Sequence, residues 1–158
     1  MGPYAVRHAG LQERLESIGY LVKDFGNIEV PVRGELDSGD PKARYLDGIL
    51  KVSQRLCDRV CSILEQGYLP LTVGGDHSCA IGSVAGVAQF RQGDPFGLLW
   101  VDAHGDLNVP ETSPSGNIHG MPVSLALGKG PLSLAQLGGI SPKVERGDVI
   151  HIGLRALD

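Results

Sequence analysis

Apolar segments of strand length alternate with segments of helical periodicity along this chain of 158 residues. The run Gly-Leu-Leu-Trp-Val at 97–101 is apolar at every position, as expected of a strand covered on both faces of a parallel sheet. Further strands are predicted at 20–25, 69–73 and 149–152, and helices at 3–18, 40–66, 78–92, 119–127 and 131–137. This alternation indicates βαβ units, so we predict an α/β fold with a mostly parallel sheet.

The composition is typical of a single compact domain, which we assign to residues 1–158. Hydrophobic residues make up 42% of the chain, and the net charge of −4 disfavours non-specific binding to nucleic acid. No apolar run approaches the roughly 20 residues of a membrane-spanning helix, and no export signal is recognisable. Three cysteines, an odd number, disfavour a disulfide scaffold. These features predict a cytoplasmic protein without a membrane or nucleic-acid partner.

Two polar clusters come directly after predicted strands. Asp76 and His77 follow one strand, and Asp102, His104 and Asp106 follow the next strand along the chain. The second cluster has the spacing i, i+2, i+4, which in extended backbone places all three side chains on one side. Ligands of open α/β sheets bind at the carboxyl ends of the strands. We therefore expect the two clusters to converge at the carboxyl ends of adjacent parallel strands.

Such a cluster of acidic groups calls for a cation. Two carboxylates repel each other, and both lose their hydration when they are buried, whereas a divalent cation resolves the conflict. Carboxylates dominate the cluster and it contains no thiolate, which favours Mn²⁺ or another oxygen-preferring ion over structural Zn²⁺. Two ions about 3.5–4 Å apart could share a bridging hydroxide, a nucleophile available at neutral pH.

Structural roles compete with chemical ones at several positions. An isolated aspartate after a strand, such as Asp76, is more typical of a helix cap or an Asx-turn than of a ligand. Cysteines spaced four residues apart beside an apolar stripe are typical of core packing. Packing or other structural roles are predicted for His8, Cys57, Cys61, Cys79 and His151.

A third polar segment, at 112–120, follows the second cluster. It contains small hydroxyls, amides, glycines and one histidine, His119. Taken alone, the segment would be an ordinary surface loop, and His119 could be structural or functional. Because it comes directly after the candidate metal ligands, the segment is well placed to form one wall of a substrate site.

Three motifs of the chain are long, ordered and consistently spaced. They are Gly-Gly-Asp-His-Ser at 74–78, Asp-Ala-His-Gly-Asp-Leu-Asn at 102–108 and Ser-Gly-Asn-Ile-His-Gly-Met-Pro at 115–122. Together they resemble the bacterial arginases of the ureohydrolase family, and the resemblance extends over essentially the whole chain. It implies a three-layer α/β/α fold and an enzyme that hydrolyses L-arginine to L-ornithine and urea, with a hydroxide that bridges two Mn²⁺ ions attacking the guanidinium carbon.

The resemblance implies a metal role for four residues. His77 and Asp106 match ligands of the first manganese ion in such enzymes. Asp102 matches a bridging ligand, and His104 matches a ligand of the second manganese ion. The complete site would hold two ions.

The resemblance also implies substrate roles for residues later in the chain. Asn108, Ser115 and Asn117 match the residues that hold the α-carboxylate of the amino acid. Asp158 matches the acidic residue that receives the α-amino group, directly or through water. His119 matches a proton-shuttling histidine, which would serve as the ornithine nitrogen gains a proton and the tetrahedral intermediate collapses.

The chain departs from the family pattern in its extent. Members of the family are about twice as long, with a first strand before the residue matching Met1. A later Asp-x-Asp pair of metal ligands and a supporting glutamate come after the residue matching Asp158. The resemblance therefore implies a truncated arginase-like domain, which we expect to be inactive alone. The homo-oligomers of the family, trimers or hexamers, would use an interface that lies largely outside this chain.

Two alternative functions remain open from the sequence. Agmatinases share the metal motifs but act on a substrate that lacks the carboxylate. They would not need the wall formed by Asn108 and the Ser-Gly-Asn segment at 115–117, and this wall favours arginase. A non-catalytic remnant that binds metal is the other alternative.

Overall fold

A computed structural model of the chain describes residues 2–156, with Arg33 described by its backbone alone. The helices are α1 (Gly2–His8), α2 (Leu11–Ser17), α3 (Leu46–Glu65), α4 (Cys79–Arg91), α5 (Pro122–Ala126) and α6 (Leu132–Ala135). The strands are β1 (Leu98–Val101) and β2 (Val149–Ile152). Short 3₁₀ helices lie at Arg33–Glu35, Ile118–Gly120, Leu137–Gly139 and Arg146–Asp148. None of the helices within 2–156 combines the length and the hydropathy of a membrane span.

The two strands form a parallel pair. Their register runs from Leu98 opposite Val149 to Val101 opposite Ile152. Parallel strands need a long crossover connection, and here the segment 102–148, which contains α5 and α6, supplies it. The predicted α/β class and the predicted parallel pairing are confirmed.

The two faces of this strand pair differ in exposure. Trp100 and His151 lie side by side on the face that the rest of the chain covers, and Trp100 is only 5% exposed. The opposite face, which we call the open face, carries Leu99, Val101, Ile150 and Ile152. These four side chains are between 48% and 72% exposed. Residues 2–156 therefore cover one face of the sheet, whereas the apolar run at 97–101 led us to expect cover on both.

Two segments predicted as strands, 20–25 and 69–73, form no strand in the structure. Their apolar side chains Leu21, Leu69 and Leu71 are largely exposed. A strand requires a neighbour that exchanges backbone hydrogen bonds with it, and within 2–156 only β1 and β2 pair as strands. An apolar pattern is a local property, so it indicated the strands without showing whether a neighbour was available.

Residues with left-handed backbone conformation break one predicted helix in two and shift the start of another. The helix predicted at 3–18 is broken into α1 and α2 at Gly10, where φ is 79°. The helix predicted from residue 40 begins only at Leu46, because Tyr45 has a φ of 59°. The preceding residues form a turn in which Asp40 Oδ1 accepts a hydrogen bond of 2.8 Å from the backbone N–H of Lys42.

The core is built on the packing of α3 against α4. The buried residues of α3 are Gly48, Ser53, Leu56, Cys57, Val60, Cys61 and Ile63. A Cβ atom added to Gly82 of α4 would lie 2.6 Å from the carbonyl oxygen of Ser53, and one added to Gly86 would lie 2.6 Å from that of Cys57. The two helices therefore meet backbone to backbone, at a distance that only glycine allows.

The buried cysteines take part in this packing, as predicted. Cys57 is fully buried, and its thiol donates a hydrogen bond of 3.2 Å to Gln89 Oε1 of α4. Burial raises the pKa of the Cys57 thiol to about 11, so the neutral form is favoured. Cys61 is also buried, and both thiols are free.

We expect Gly82→Ala and Gly86→Ala each to lower the free energy of unfolding by about 1–3 kcal/mol, because the added methyl group forces the helix backbones apart. Urea denaturation followed by circular dichroism measures the effect. Gly147→Ala is the matched control, since a Cβ atom at Gly147 meets nothing within 4 Å. Equal stability of all three variants would contradict the close helix contact.

Candidate metal centre

Three of the predicted metal ligands converge at the carboxyl end of β1. His77 Nδ1 lies 2.9 Å from Asp102 Oδ2 and 2.9 Å from Asp106 Oδ2. One potential ligand atom from each of the three residues lies within 4.8 Å of the other two. The structure thus brings together groups that are 29 residues apart in the sequence, as the expected convergence of the two clusters requires. We call His77, Asp102 and Asp106 the metal triad.

The path of the backbone after β1 determines where the side chains of Asp102 and Asp106 lie. The backbone N–H of Asp102 donates to the carbonyl oxygen of Ile152 over 3.1 Å, so strand pairing extends to the first ligand. Asp106 has a left-handed φ of 50°, which turns the chain back and buries its carboxylate. Its carbonyl oxygen accepts hydrogen bonds from the backbone N–H groups of Val123 (3.1 Å) and Ser124 (3.3 Å), at the start of α5.

His77 reaches the triad from a turn rather than from a neighbouring strand. Asp76 Oδ1 accepts the backbone N–H of Ser78 over 3.0 Å, which is the Asx-type turn predicted for it, and α4 begins directly afterwards. The His77 ring packs on Trp100 with ring centroids 4.3 Å apart. Trp100 was not singled out in the sequence, although it precedes Asp102 by two residues and therefore points to the same side of the strand.

Within the triad, one imidazole nitrogen faces two carboxylates. Both close contacts of His77 Nδ1 are to carboxylate oxygens, and one ring nitrogen carries at most one proton. The backbone N–H of His104 donates to Asp102 Oδ1 over 3.1 Å, and with the nearby His77 ring it lowers the pKa of Asp102. The Asp102 carboxylate is therefore favoured as an anion, and a donor set of two carboxylates and one imidazole fits a hard divalent cation.

His104, the fourth predicted ligand, lies outside the triad. Its Nδ1 atom is 3.6 Å from Asp102 Oδ1, the carboxylate oxygen opposite the one that faces His77. The side chain is 56% exposed. Asp102 thus stands between His77 and His104, which is compatible with the bridging role implied by the resemblance.

The predicted substrate residues lie on the loop that follows. Asn108 Oδ1 accepts a hydrogen bond of 2.9 Å from Thr112 Oγ1, and the backbone N–H of Asn108 donates to the carbonyl oxygen of Gly120 over 3.1 Å. Ser115 Oγ accepts the backbone N–H of Asn117 over 3.2 Å. These bonds fold residues 108–120 into one compact loop.

His119 stands beside the first polar cluster. Its Nδ1 atom is 3.8 Å from Asp76 Oδ2, and its side chain is half exposed. Asp76, interpreted from the sequence as a turn former, therefore also faces the predicted proton-shuttling residue. Asp158, the predicted partner of the α-amino group, lies outside the described residues.

Comparison with known proteins identifies the family. The family model for arginases matches residues 1–158. The chain belongs to the arginase family. The arginase of Bacillus subtilis is 47% identical over 158 residues, and that of Bacillus caldovelox is 46% identical over 159 residues. Each alignment covers all of this chain and 52% of the relative, so the chain spans about half the length of the curated relatives it matches.

Solved arginases share the fold described above. The native structure of Bacillus caldovelox arginase at pH 5.6 superposes with a TM-score of 0.93 at 46% identity, over all of this chain and 52% of that one. The structure of Entamoeba histolytica arginase in complex with L-ornithine gives 0.88 at 34% identity, over 99% of this chain and 52% of that one. The arginase fold implied by the motifs is confirmed.

Asp106→Asn tests the metal triad, because it removes one carboxylate charge from the most buried ligand. With Mn²⁺ as the probe, we expect the dissociation constant to rise at least about tenfold, which corresponds to about 1.4 kcal/mol. Titration followed by the electron paramagnetic resonance of free Mn²⁺ measures it. Asp94→Asn, at an exposed position away from the triad, is the control for loss of charge. Equal weakening by both variants would speak against a site at the triad.

Proposed function

We propose that this chain supplies part of the active site of an enzyme that hydrolyses L-arginine to L-ornithine and urea. The observation that carries the proposal is the metal triad, His77, Asp102 and Asp106, in a chain that matches arginases along its whole length. The complex of Entamoeba histolytica arginase with L-ornithine supports the choice of product.

The residues of the triad would hold one Mn²⁺ ion, and Asp102 together with His104 would contribute to a second. Two carboxylates, from Asp102 and Asp106, and imidazole nitrogens without a thiolate form the kind of donor set that manganese prefers. When bound, the ions would supply the Lewis acidity that turns water into a nucleophile near neutral pH. The buried carboxylate of Asp106 would fix the position of the first ion.

His119 is proposed as the group that moves the proton. Its half-exposed ring can reach both solvent and a substrate in the space beside the triad, and Asp76 Oδ2 faces its Nδ1 atom. A histidine exchanges protons readily near neutral pH. His119 would then donate a proton to the departing nitrogen of ornithine.

The loop at 108–120 is proposed to recognise the amino-acid end of the substrate. Asn108, Ser115 and Asn117 offer amide and hydroxyl donors, and the hydrogen bonds within the loop hold these groups in a fixed arrangement. Donors of this kind suit a carboxylate. Asp158 is proposed to receive the α-amino group.

The proposal also concerns the compartment. The thiols of Cys57, Cys61 and Cys79 are all free. Because free thiols persist in reducing surroundings, we propose a cytoplasmic location.

The proposed activity is tested by joining this chain to the part of a related arginase that would complete the site. We would fuse residues 1–158 to the part of Bacillus subtilis arginase beyond the region that it matches, supply Mn²⁺ and measure urea released from L-arginine. We expect turnover from the fusion, none from the fusion with His77→Ala, and no appreciable turnover from residues 1–158 alone, because a first ion without its remaining ligands is neither held nor aimed well. A folded, Mn²⁺-loaded fusion that releases no urea would refute the proposal.

The choice between arginine and agmatine is tested in the same fusion. Asn108→Ala and Ser115→Ala should raise KM for L-arginine about tenfold or more, with a much smaller effect on agmatine, since only arginine carries the carboxylate. Ser133→Ala, on the exposed side of α6, is the control. Equal effects on both substrates would remove the argument for arginine.

The role of His119 is tested by replacing it with asparagine in the fusion. His119→Asn should lower kcat at least about 100-fold while Mn²⁺ content stays near two ions per site, because the ring is placed for proton transfer and not for coordination. Metal analysis and steady-state kinetics give the two readouts. His8→Asn, on α1, is the control. Loss of manganese from His119→Asn would identify the residue as a ligand instead.

A further inference from the structure

One side chain of β2 contacts the segment between the two triad aspartates. His151 Nε2 lies 3.0 Å from the carbonyl oxygen of Gly105. Because a carbonyl oxygen only accepts hydrogen bonds, the ring must carry its proton on Nε2 and donate it. The contact joins residues 46 positions apart in the sequence.

Gly105 directly precedes Asp106, a member of the metal triad. The next residue, Asp106, has its left-handed φ of 50°, which is uncommon for a residue with a side chain. On the far side of this residue, α5 holds the chain: the N–H groups of Val123 and Ser124 donate to the Asp106 carbonyl oxygen, and Ser124 Oγ donates to that of Leu107 over 2.5 Å. Those anchors fix only the downstream peptide groups.

His151, which lies on β2, contacts the peptide group that precedes Asp106. It pairs in register with Trp100, on the covered face of the sheet, and Trp100 in turn carries the His77 ring. Neighbouring side chains on one sheet face therefore support the two parts of the triad: Trp100 lies against His77, and His151 binds the peptide group that precedes Asp106.

We propose that His151 is a positioning residue for the metal triad. Its hydrogen bond to Gly105 fixes the peptide plane before Asp106, and this plane sets the direction of the Asp106 carboxylate toward His77. The inference rests on the proposed metal site. Groups that orient the ligands of a metal commonly affect affinity by 10–100-fold when they are lost.

The test compares three variants of the chain 1–158. His151→Leu removes the donor at similar size, His151→Gln keeps an N–H donor at nearly the same place, and His8→Leu is the control on α1. We expect His151→Leu to weaken Mn²⁺ binding at least about tenfold, and His151→Gln and His8→Leu to stay within about threefold of the parent chain. Electron paramagnetic resonance of free Mn²⁺ gives the affinities, and circular dichroism gives Tm.

A second readout needs no metal. Amide hydrogen exchange at Val123, whose N–H donates to Asp106, should speed up at least about tenfold in metal-free His151→Leu and not in His151→Gln, while exchange in α3 stays unchanged. If His151→Leu does not fold, His151→Asn takes its place, because its shorter amide does not span the distance to Gly105.

The outcomes separate this inference from the proposed function. If a folded His151→Leu chain, or its Asn replacement, matches the parent in exchange at Val123 and in Mn²⁺ affinity, the inference is wrong. If His151→Gln is as impaired as His151→Leu, the ring acts by packing and the inference is also wrong. If the parent chain shows no Mn²⁺ binding that His77→Ala removes, the proposed metal site fails, while the exchange result still decides the role of the hydrogen bond.

Discussion

The close approach of α3 and α4 is the contact on which the rest of the structure depends. Gly82 and Gly86 let the two helix backbones touch, and a third glycine, Gly138, extends the contact, since a Cβ atom there would lie 2.9 Å from the carbonyl oxygen of Ala85. The core cluster that surrounds this contact includes Cys57 and Met121, so residues next to the site loops pack on the same helices. Small side chains in α4 thus set the distances on which the site is built.

The site inherits its geometry from this scaffold at two points. α4 begins two residues after His77, so the position of the helix determines where the imidazole stands. α5 packs on α4 and, at its first turn, holds the Asp106 peptide with N–H groups that a helix leaves unpaired. The repulsion between Asp102 and Asp106 is therefore opposed by backbone that is fixed from two sides.

The sequence contained enough information to predict which side chains converge, His104 excepted, but not what holds them in place. Asp102 and Asp106 stand at i and i+4 after an apolar run, a local pattern that can be read directly. The packing of Trp100 under His77 and the hydrogen bond from His151 to Gly105 depend on the cross-strand register and on contacts between distant segments, which no local pattern encodes. The segments 20–25 and 69–73 show the same limit, because strand formation depends on a partner elsewhere. Gly10 marked a possible break in the first helix, yet helix propensity alone does not determine whether a helix continues through a glycine.

The open face of the sheet, together with the exposed apolar side chains of segments 20–25 and 69–73, has a thermodynamic consequence for the chain of residues 1–158. Its solvent-accessible surface is 9741 Å², whereas a compact monomer of this mass exposes about 7,600 Å² and the unfolded chain about 24,000 Å². Folding therefore buries about 60% of the unfolded surface, the fraction expected of a domain of about 60 residues. The heat capacity change of unfolding and the denaturant m-value both scale with the surface that unfolding exposes. By this scaling we expect the m-value and the heat capacity change of unfolding to be about an eighth smaller than those of a compact protein of this length, with a flatter dependence of stability on temperature.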